Sequence, residues 1–183
     1  ADVRRTPTGV PGLDAMLDGG LITGSIALLQ GAPGTGKTTV GMQFLYEGAR
    51  QFGEAGLLVT FEQFPNTLYR DALAHGWNLR ELEEEGLLRV VFTSPHVFLT
   101  SLQSPASPLN TAIREMGVKR AVIDSITQFH SLTTQPIELR AHYNHLVNAL
   151  RREGITTILL SEEGGPDLMG SDRGRVAFVV DTV

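Results

Sequence analysis

The segment Gly31-Ala-Pro-Gly-Thr-Gly-Lys-Thr38 constrains this chain more than any other, because it is a glycine-rich loop that ends in Gly-Lys-Thr. In such a loop, glycine lets successive backbone N–H groups turn inward onto phosphate oxygens, and the following helix points its positive dipole end at the anion. Lys37 would reach the β and γ phosphates, and Thr38 would offer its hydroxyl to Mg²⁺. The segment therefore predicts a site for a nucleoside triphosphate. The predicted nucleotide-binding residues are Gly31, Ala32, Pro33, Gly34, Thr35, Gly36, Lys37, Thr38 and Thr39.

The residues on either side of the loop support this interpretation. Residues 25–30 form a short apolar run typical of a buried strand, and residues 39–50 carry apolar side chains at helical spacing. A strand that enters the loop and a helix that leaves it are the context in which such a loop binds phosphate.

Apolar strand-like runs alternate with helix-like segments along the whole chain, which is the pattern of an α/β fold with a parallel sheet flanked by helices on both faces. The predicted strands lie near residues 25–30, 56–62, 87–92, 119–124, 155–161 and 175–181, and the predicted helices near 38–51, 66–75, 108–116 and 137–153. Gly76, Gly117 and Gly154 stand where three of these helices should end. Residues 93–107 contain two prolines, with a third at position 108, and are predicted to form a loop or irregular crossover. Residues 163–174, rich in glycine and charge, are predicted to form a mobile loop.

Composition indicates a compact chain without a membrane segment. Its 183 residues are 42% hydrophobic and 19% charged, with a mean hydropathy of zero, which favours a single domain over residues 1–183. There is no apolar run of about 20 residues and no signal peptide, so we expect a cytoplasmic protein that does not contact the membrane. A net charge of −5 argues against a dedicated nucleic-acid binder. The absence of cysteine excludes disulfides and thiolate metal sites.

Three other strands end in polar residues that could complete a nucleotide site. Asp124 ends the apolar strand 120–124 and is predicted to hold Mg²⁺ together with Thr38. Glu62 ends the second predicted strand, 56–62, and is predicted to activate water, so that Lys37 and Glu62 are the candidate catalytic residues. Because ligands of open α/β sheets bind at the carboxyl ends of strands, these residues should meet at one sheet edge. Candidates for positioning water or sensing the γ phosphate are Gln63, Ser161 and Glu162.

The residues before the phosphate loop carry a family resemblance that extends over essentially the whole chain. Thr8-Gly-Val-Pro-Gly-Leu-Asp14, then Leu17-Asp-Gly-Gly-Leu21, then Gly24-Ser25 resemble the opening of the KaiC-type ATPases of the RecA/RadA superfamily. Phe61-Glu62-Gln63 is similar to the family's Phe-Glu-Glu strand end, which carries its catalytic carboxylates. Residues 178–183 resemble a late strand of that family.

The resemblance also implies a role for two further strand ends. Asp124-Ser125 matches the family's magnesium-site strand end, where a cis peptide bond is often found. Ser161-Glu162 matches its sensor segment.

The resemblance implies a RecA-like ATPase that binds ATP and ADP with Mg²⁺ and assembles into a homo-oligomer, often a hexameric ring, with nucleotide held between subunits. A regulatory or signalling role with a protein partner follows from the same likeness. Two departures bear on turnover. Gln63 replaces the second acid, and the chain stops at Val183, before the family's basic Lys-x-Arg segment. Arg173 and Arg175 are possible substitutes for that segment.

Three other functions stay open. The first is a nucleotide-gated oligomeric scaffold with negligible hydrolysis, favoured by Gln63 and by the end of the chain. The second is a RadA-type DNA recombination or motor protein, disfavoured by the acidic composition. The third is a KaiC-type autokinase using Ser125, Ser131, Thr133 or Thr134. It is disfavoured because the family's phosphoacceptors belong to a second domain.

Overall fold

The computed structural model describes residues 2–32, 34 and 36–162, together with the backbone of residues 176–181. In chain order the elements are β1 (Arg5–Thr6), α1 (Pro11–Met16), β2 (Leu21–Ile22), β3 (Ile26–Gly31), α2 (Lys37–Phe52), β4 (Gly56–Thr60), α3 (Pro65–Ala74), α4 (Leu79–Glu84), β5 (Leu88–Phe92), α5 (Pro95–Gln103), α6 (Pro108–Met116), β6 (Arg120–Asp124), a 3₁₀ helix (Ile126–Ser131), α7 (Pro136–Arg152), β7 (Thr156–Glu162) and β8 (Val176–Asp181). Six of these strands form one parallel sheet in the order β5-β4-β6-β7-β3-β8. All six predicted strands and all four predicted helices are confirmed, with no end shifted by more than two residues.

Amphipathic helices cover both faces of the sheet with their apolar sides, as the alternation of segments predicted. One core lies between the sheet and α5, α6 and α7, and the other between the sheet and α2, α3 and α4. Strand β4 serves both cores, because Leu57 and Val59 point to the first and Leu58 to the second. Burial on both faces explains why the central strands read as unbroken apolar runs. Within the described residues, no helix is long and apolar enough to cross a bilayer.

The prediction of a loop over residues 93–107 was wrong, because most of that segment is helix α5. Pro95 occupies the first turn, where a missing N–H removes no helical hydrogen bond. Ser94 caps the helix, since its hydroxyl accepts a hydrogen bond from Val97 N at 3.2 Å. Phe98, Leu99 and Leu102 are buried against the sheet, so their packing stabilises the helix.

The segment from Thr8 to Asp14 fastens the start of the chain to the helix that follows the phosphate loop. The Asp14 carboxylate accepts hydrogen bonds from Thr8 N at 2.7 Å, from Thr8 Oγ1 at 2.6 Å and from Gly9 N at 3.1 Å. Gln43 Nε2 of α2 donates to the carbonyl of Gly9 at 2.8 Å. The Thr-Gly-x-x-x-Leu-Asp pattern is therefore a local hydrogen-bonded turn that docks on α2.

Candidate nucleotide site

The carboxyl ends of strands β4, β6 and β7 and the loop after β3 surround one cavity of about 400 Å³. Parallel strands bring their carboxyl ends to the same edge of a sheet, which is why residues far apart in sequence meet here. The described residues that line the cavity are Gly34, Gly36, Lys37, Thr38, Thr39, Thr60, Glu62, Gln63, Asp124, Ser125, Gln128 and Glu162.

The described residues at the end of β3 and at the start of the loop before α2 bind the Lys37 side chain through their carbonyls. Gly34 and Gly36 adopt positive φ angles of 81° and 89°, a conformation that side chains resist, and α2 begins directly after Gly36. Lys37 is 8% exposed, and its Nζ donates hydrogen bonds to the carbonyls of Gly31 at 2.6 Å and Ala32 at 2.9 Å. A buried ammonium group at the start of a helix gives this end of the cavity its positive charge. The predicted binding residues Pro33 and Thr35 lie outside the described residues.

Thr38 and Asp124, the two predicted magnesium ligands, are hydrogen-bonded to each other. Thr38 Oγ1 donates to Asp124 Oδ2 at 3.0 Å, and the peptide bond between Asp124 and Ser125 is cis, as the resemblance implied. A hydroxyl and one carboxylate, beside bound phosphates, form a donor set that suits Mg²⁺, which binds few protein ligands and retains water. In the described part of the chain, no group of three or more His, Cys, Asp or Glu side chains is placed so that these side chains alone could hold a metal ion.

Asp124 lies in an electrostatic environment that works against its own charge. Burial raises the pKa of the Asp124 carboxyl above its usual range, whereas the hydrogen bond from Thr38 and the charge of Lys37 lower it. The nearby carboxylates of Glu62 and Glu162 raise this pKa further. Three carboxylates and one lysine therefore share the cavity, an arrangement that a bound divalent cation would relieve.

The structure brings most of the predicted catalytic and sensing residues to this cavity. Glu62 and Gln63 are exposed at the end of β4 and line it. Glu162 lines it from the end of β7, and its backbone N donates to Thr127 Oγ1 at 2.9 Å. Ser161 is buried and does not line the cavity; its hydroxyl lies 3.4 Å from the carbonyl of Glu162. The roles of these residues stay predictions.

Among the described residues that line the cavity, Thr60 and Gln128 were missed by the sequence analysis, and Ser125 was named only beside Asp124 and as a candidate phosphoacceptor. Ser125 and Gln128 form a capping box at the start of the 3₁₀ helix, in which Ser125 N donates to Gln128 Oε1 at 3.1 Å. The spacing Ser-x-x-Gln directly after Asp124 is a sequence signal that could have revealed them. Thr60 gives no such signal, because threonine at a strand end is ordinary.

Comparison with known proteins connects this geometry to a family. The profile of the family described as "ATPase: KaiC" matches residues 6–183. The UPF0273 protein PF1931 of Pyrococcus furiosus is 35% identical over an alignment of 201 positions, which covers 99% of this chain and 80% of that protein. The circadian clock oscillator protein KaiC of Parasynechococcus marenigrum is 35% identical over 173 residues, which cover 90% of this chain and 34% of KaiC. The chain thus spans about a third of the length of that KaiC relative.

A solved structure shares the whole fold. The crystal structure of the KaiC-like protein PH0186 from Pyrococcus horikoshii superposes with a TM-score of 0.82 at 33% sequence identity, covering 98% of this chain and 82% of that one. The parallel sheet with helices on both faces therefore has the RecA-type fold of that KaiC-like protein. On its sequence and its fold, this chain belongs to the KaiC ATPase family.

Proposed function

We propose that this chain is a magnesium-dependent ATPase that oligomerises around its nucleotide and acts in a regulatory or signalling assembly. The observation that carries the proposal is the meeting of Lys37, Thr38, Asp124 and Glu62 around one cavity. A positive loop, a hydroxyl beside a carboxylate and a second carboxylate are the groups that phosphoryl transfer to water requires.

The phosphates of ATP would lie against the loop at the start of α2. Its backbone N–H groups and the helix dipole favour anions, and the buried Lys37 ammonium lies at the loop carbonyls, within reach of the terminal phosphates. In this arrangement Lys37 binds ATP and also neutralises charge that develops on the phosphate oxygens.

Thr38 and Asp124 would hold Mg²⁺, which supplies charge neutralisation between the β and γ phosphates when it is bound. The raised pKa of Asp124 supports this role, because a carboxylate that burial and two like charges penalise gains from a nearby cation. Thr38 already points its hydroxyl at that carboxylate.

Glu62 would accept the proton from the attacking water. It is exposed at the cavity, so water reaches its carboxylate, and it follows β4, whose carboxyl end lies beside that of β6. Gln63 keeps an amide that orients water but accepts no proton at neutral pH, so that Glu62 carries this step alone.

ATP hydrolysis should require assembly of several subunits. Within the described residues that line the cavity, Lys37 is the one cation and faces three carboxylates. The negative charge of a transferring phosphoryl group would be better stabilised by a further cation from a neighbouring subunit. Light scattering with and without Mg-ATP tests this, and a strict monomer under both conditions would contradict it.

The decisive experiment compares wild-type protein with Glu62→Gln in phosphate release and in binding of a fluorescent ATP analogue. Glu115→Gln, which neutralises an exposed carboxylate on α6 outside the cavity lining, is the matched control. We expect Glu62→Gln to bind nucleotide with unchanged affinity and to release phosphate at least about 100-fold more slowly, the usual contribution of a general base. Glu115→Gln should match wild type in both measurements.

A nucleotide-gated scaffold is the second candidate function, and Gln63 is the observation that favours it. An amide stands at the cavity where the family's Phe-Glu-Glu pattern has a second carboxylate. Phosphate release by the wild type at the level of a Lys37→Met variant, combined with nucleotide-dependent assembly, would exclude the ATPase and support the scaffold.

A further inference from the structure

Thr60, the last residue of β4, ties the backbone on the far side of Glu62 to the strand that precedes it. Its side chain is buried at 1% exposure. The hydroxyl oxygen accepts a hydrogen bond from Gln63 N at 3.2 Å, and the hydroxyl donates to the carbonyl of Gln63 at 3.1 Å. A hydroxyl can donate and accept at once, which an aliphatic side chain of the same shape cannot do. The chain therefore makes a turn over residues 60–63, and Glu62 is one of the two central residues of that turn.

Phe61, the residue before Glu62, is fixed by a backbone hydrogen bond and by packing of its ring. Phe61 N donates to the carbonyl of Asp124 at 3.1 Å, which links this turn to the end of β6. The Phe61 ring packs against the rings of Phe98 and Phe129, with centroid distances of 5.9 Å and 5.8 Å. Glu62 is thus an exposed side chain on a backbone that is fixed on both sides.

We propose that Thr60 is a positioning residue that sets where the Glu62 carboxylate stands relative to the phosphate loop. This inference rests on the proposed function, in which Glu62 accepts the proton from water. A base displaced by about 1 Å can lose a factor of about 100 in rate, so a turn that fixes its backbone has a direct kinetic consequence. Thr60 acts through Glu62 and through the path of the chain, and needs no contact with the reacting atoms.

Threonine at this place also has a plain structural role, because a β-branched residue suits a strand end. The variant Thr60→Val separates the two roles. It keeps the branching and nearly the volume, and it removes only the hydroxyl. Gln63 is exposed, so water can replace the lost partner of its backbone groups and the fold should survive. Thr60→Ser restores the hydroxyl without the methyl group.

Thr157→Val is the matched control. Thr157 is also buried in the same sheet, on β7, but its hydroxyl donates to the carbonyl of Ile155 at 3.2 Å, at the opposite edge of the sheet from the cavity. The control repeats the loss of one buried hydroxyl without changing the turn around Glu62.

The experiment measures the kcat and KM of ATP hydrolysis, the affinity for a fluorescent ATP analogue, and the hydrogen exchange of the Gln63 amide. For Thr60→Val we expect kcat to fall about 10–100-fold, nucleotide affinity to stay within about twofold, and the Gln63 amide to exchange at least about tenfold faster. Thr60→Ser and Thr157→Val should resemble wild type in all three. A kcat for Thr60→Val equal to that of Thr157→Val would overturn the inference.

The exchange measurement keeps this inference separable from the proposed function. If the wild type hydrolyses no ATP, the ATPase proposal fails by itself. Unchanged exchange of the Gln63 amide in Thr60→Val would then overturn the positioning role without any kinetic data. Faster exchange at Gln63, absent from Thr157→Val, would establish that the hydroxyl holds the turn.

Discussion

Strand β6 carries a charge at each end, and the protein surrounds the two charges in opposite ways. Arg120 begins the strand and is fully buried, at 0% exposure. Its Nε and Nη2 donate to Glu54 Oε1 at 3.1 Å and 2.9 Å, and its Nη1 donates to the carbonyl of Phe44 at 3.0 Å. The guanidinium lies over the rings of Phe44 and Phe52, 4.7 Å and 5.4 Å from their centroids.

Helix α2 leaves room for that guanidinium at Gly48. A Cβ added there would lie 2.4 Å from the Cδ and Nε atoms of Arg120. The absence of a side chain at one helical position therefore allows a large charged side chain from a neighbouring strand to be buried, with each guanidinium nitrogen hydrogen-bonded.

Asp124 ends the same strand, but two of its charged neighbours are carboxylates like itself, whereas Arg120 is paired with an opposite charge. Burial disfavours both charges, since it lowers the pKa of the Arg120 guanidinium and raises the pKa of the Asp124 carboxyl. The carboxylate of Glu54 opposes this shift at Arg120, whereas the carboxylates of Glu62 and Glu162 add to it at Asp124. Removing one partner of a buried charge pair is costly to the fold, whereas a buried carboxylate among like charges gains most from a bound cation. The contrast indicates that the amino end of β6 is structural and the carboxyl end functional.

The largest expected effect is a loss of folding stability when Arg120, at the amino end of β6, is substituted. Arg120→Ala would leave a cavity beneath the Phe44 and Phe52 rings and would take from Glu54 its ion-pair partner, so we expect it to destabilise the protein by about 3–5 kcal/mol. In a chain of this size that lowers Tm by roughly 10 °C, measured by thermal unfolding followed by circular dichroism. Arg70→Ala, which removes an exposed arginine on α3, is the control and should change Tm by less than about 2 °C. Equal Tm values for the two variants would contradict the comparison.

The next effect concerns binding. Lys37→Met should weaken binding of a fluorescent ATP analogue about 10–100-fold, because a charge-assisted hydrogen bond contributes about 1.5–3 kcal/mol. Lys119→Met removes an exposed lysine just before β6, at the opposite edge of the sheet, and should leave the affinity unchanged. Equal weakening by both variants would mean that Lys37 acts only through the net charge of the protein.

The strands, the helix ends and the position of the candidate site could be predicted from the sequence, because they follow from local residue patterns and from the geometry of a parallel sheet. Central strands buried on both faces read as apolar runs, and the rule that ligands bind at carboxyl ends of parallel strands brought Glu62, Asp124 and Glu162 together. Glycines predicted helix ends at three positions, and all three have positive φ: Gly76, Gly117 and Gly154. These features depend on nearby residues, and a single sequence contains them.

Features that depend on distant partners could not be predicted. Nothing near Arg120 in the sequence points to Glu54 or Phe44, which lie 66 and 76 residues earlier. Helix α5 was missed because Pro95 was interpreted as a helix breaker, although in the first turn proline favours a helix. Thr60 was missed because its hydroxyl acts on a turn whose path only the structure reveals.

The smallest effect tests the functional end of β6 directly. Asp124→Asn removes a buried charge and keeps an oxygen that can accept from Thr38, so the nucleotide-free variant should be more stable than wild type at pH 7. We expect Tm to rise by about 2–4 °C, corresponding to ~1 kcal/mol in a chain of this size. Because Mg-ATP would lose a ligand in the variant, the order of the two Tm values should reverse when Mg-ATP is added.

The difference in folding stability between Asp124→Asn and the wild type should depend on pH in one definite direction. The folded-state pKa of Asp124 is raised, so protonation favours the folded wild type at low pH, and this stabilisation is lost as pH rises through the folded-state pKa. The advantage of Asp124→Asn should therefore be full at neutral pH and shrink as pH falls toward about 4, near the ordinary pKa of aspartate. Thermal unfolding of both proteins across this range, without nucleotide, measures it. A variant less stable than wild type at pH 7 would mean that Thr38 and Lys37 outweigh burial, and that Asp124, like Arg120, already has its partners within the fold.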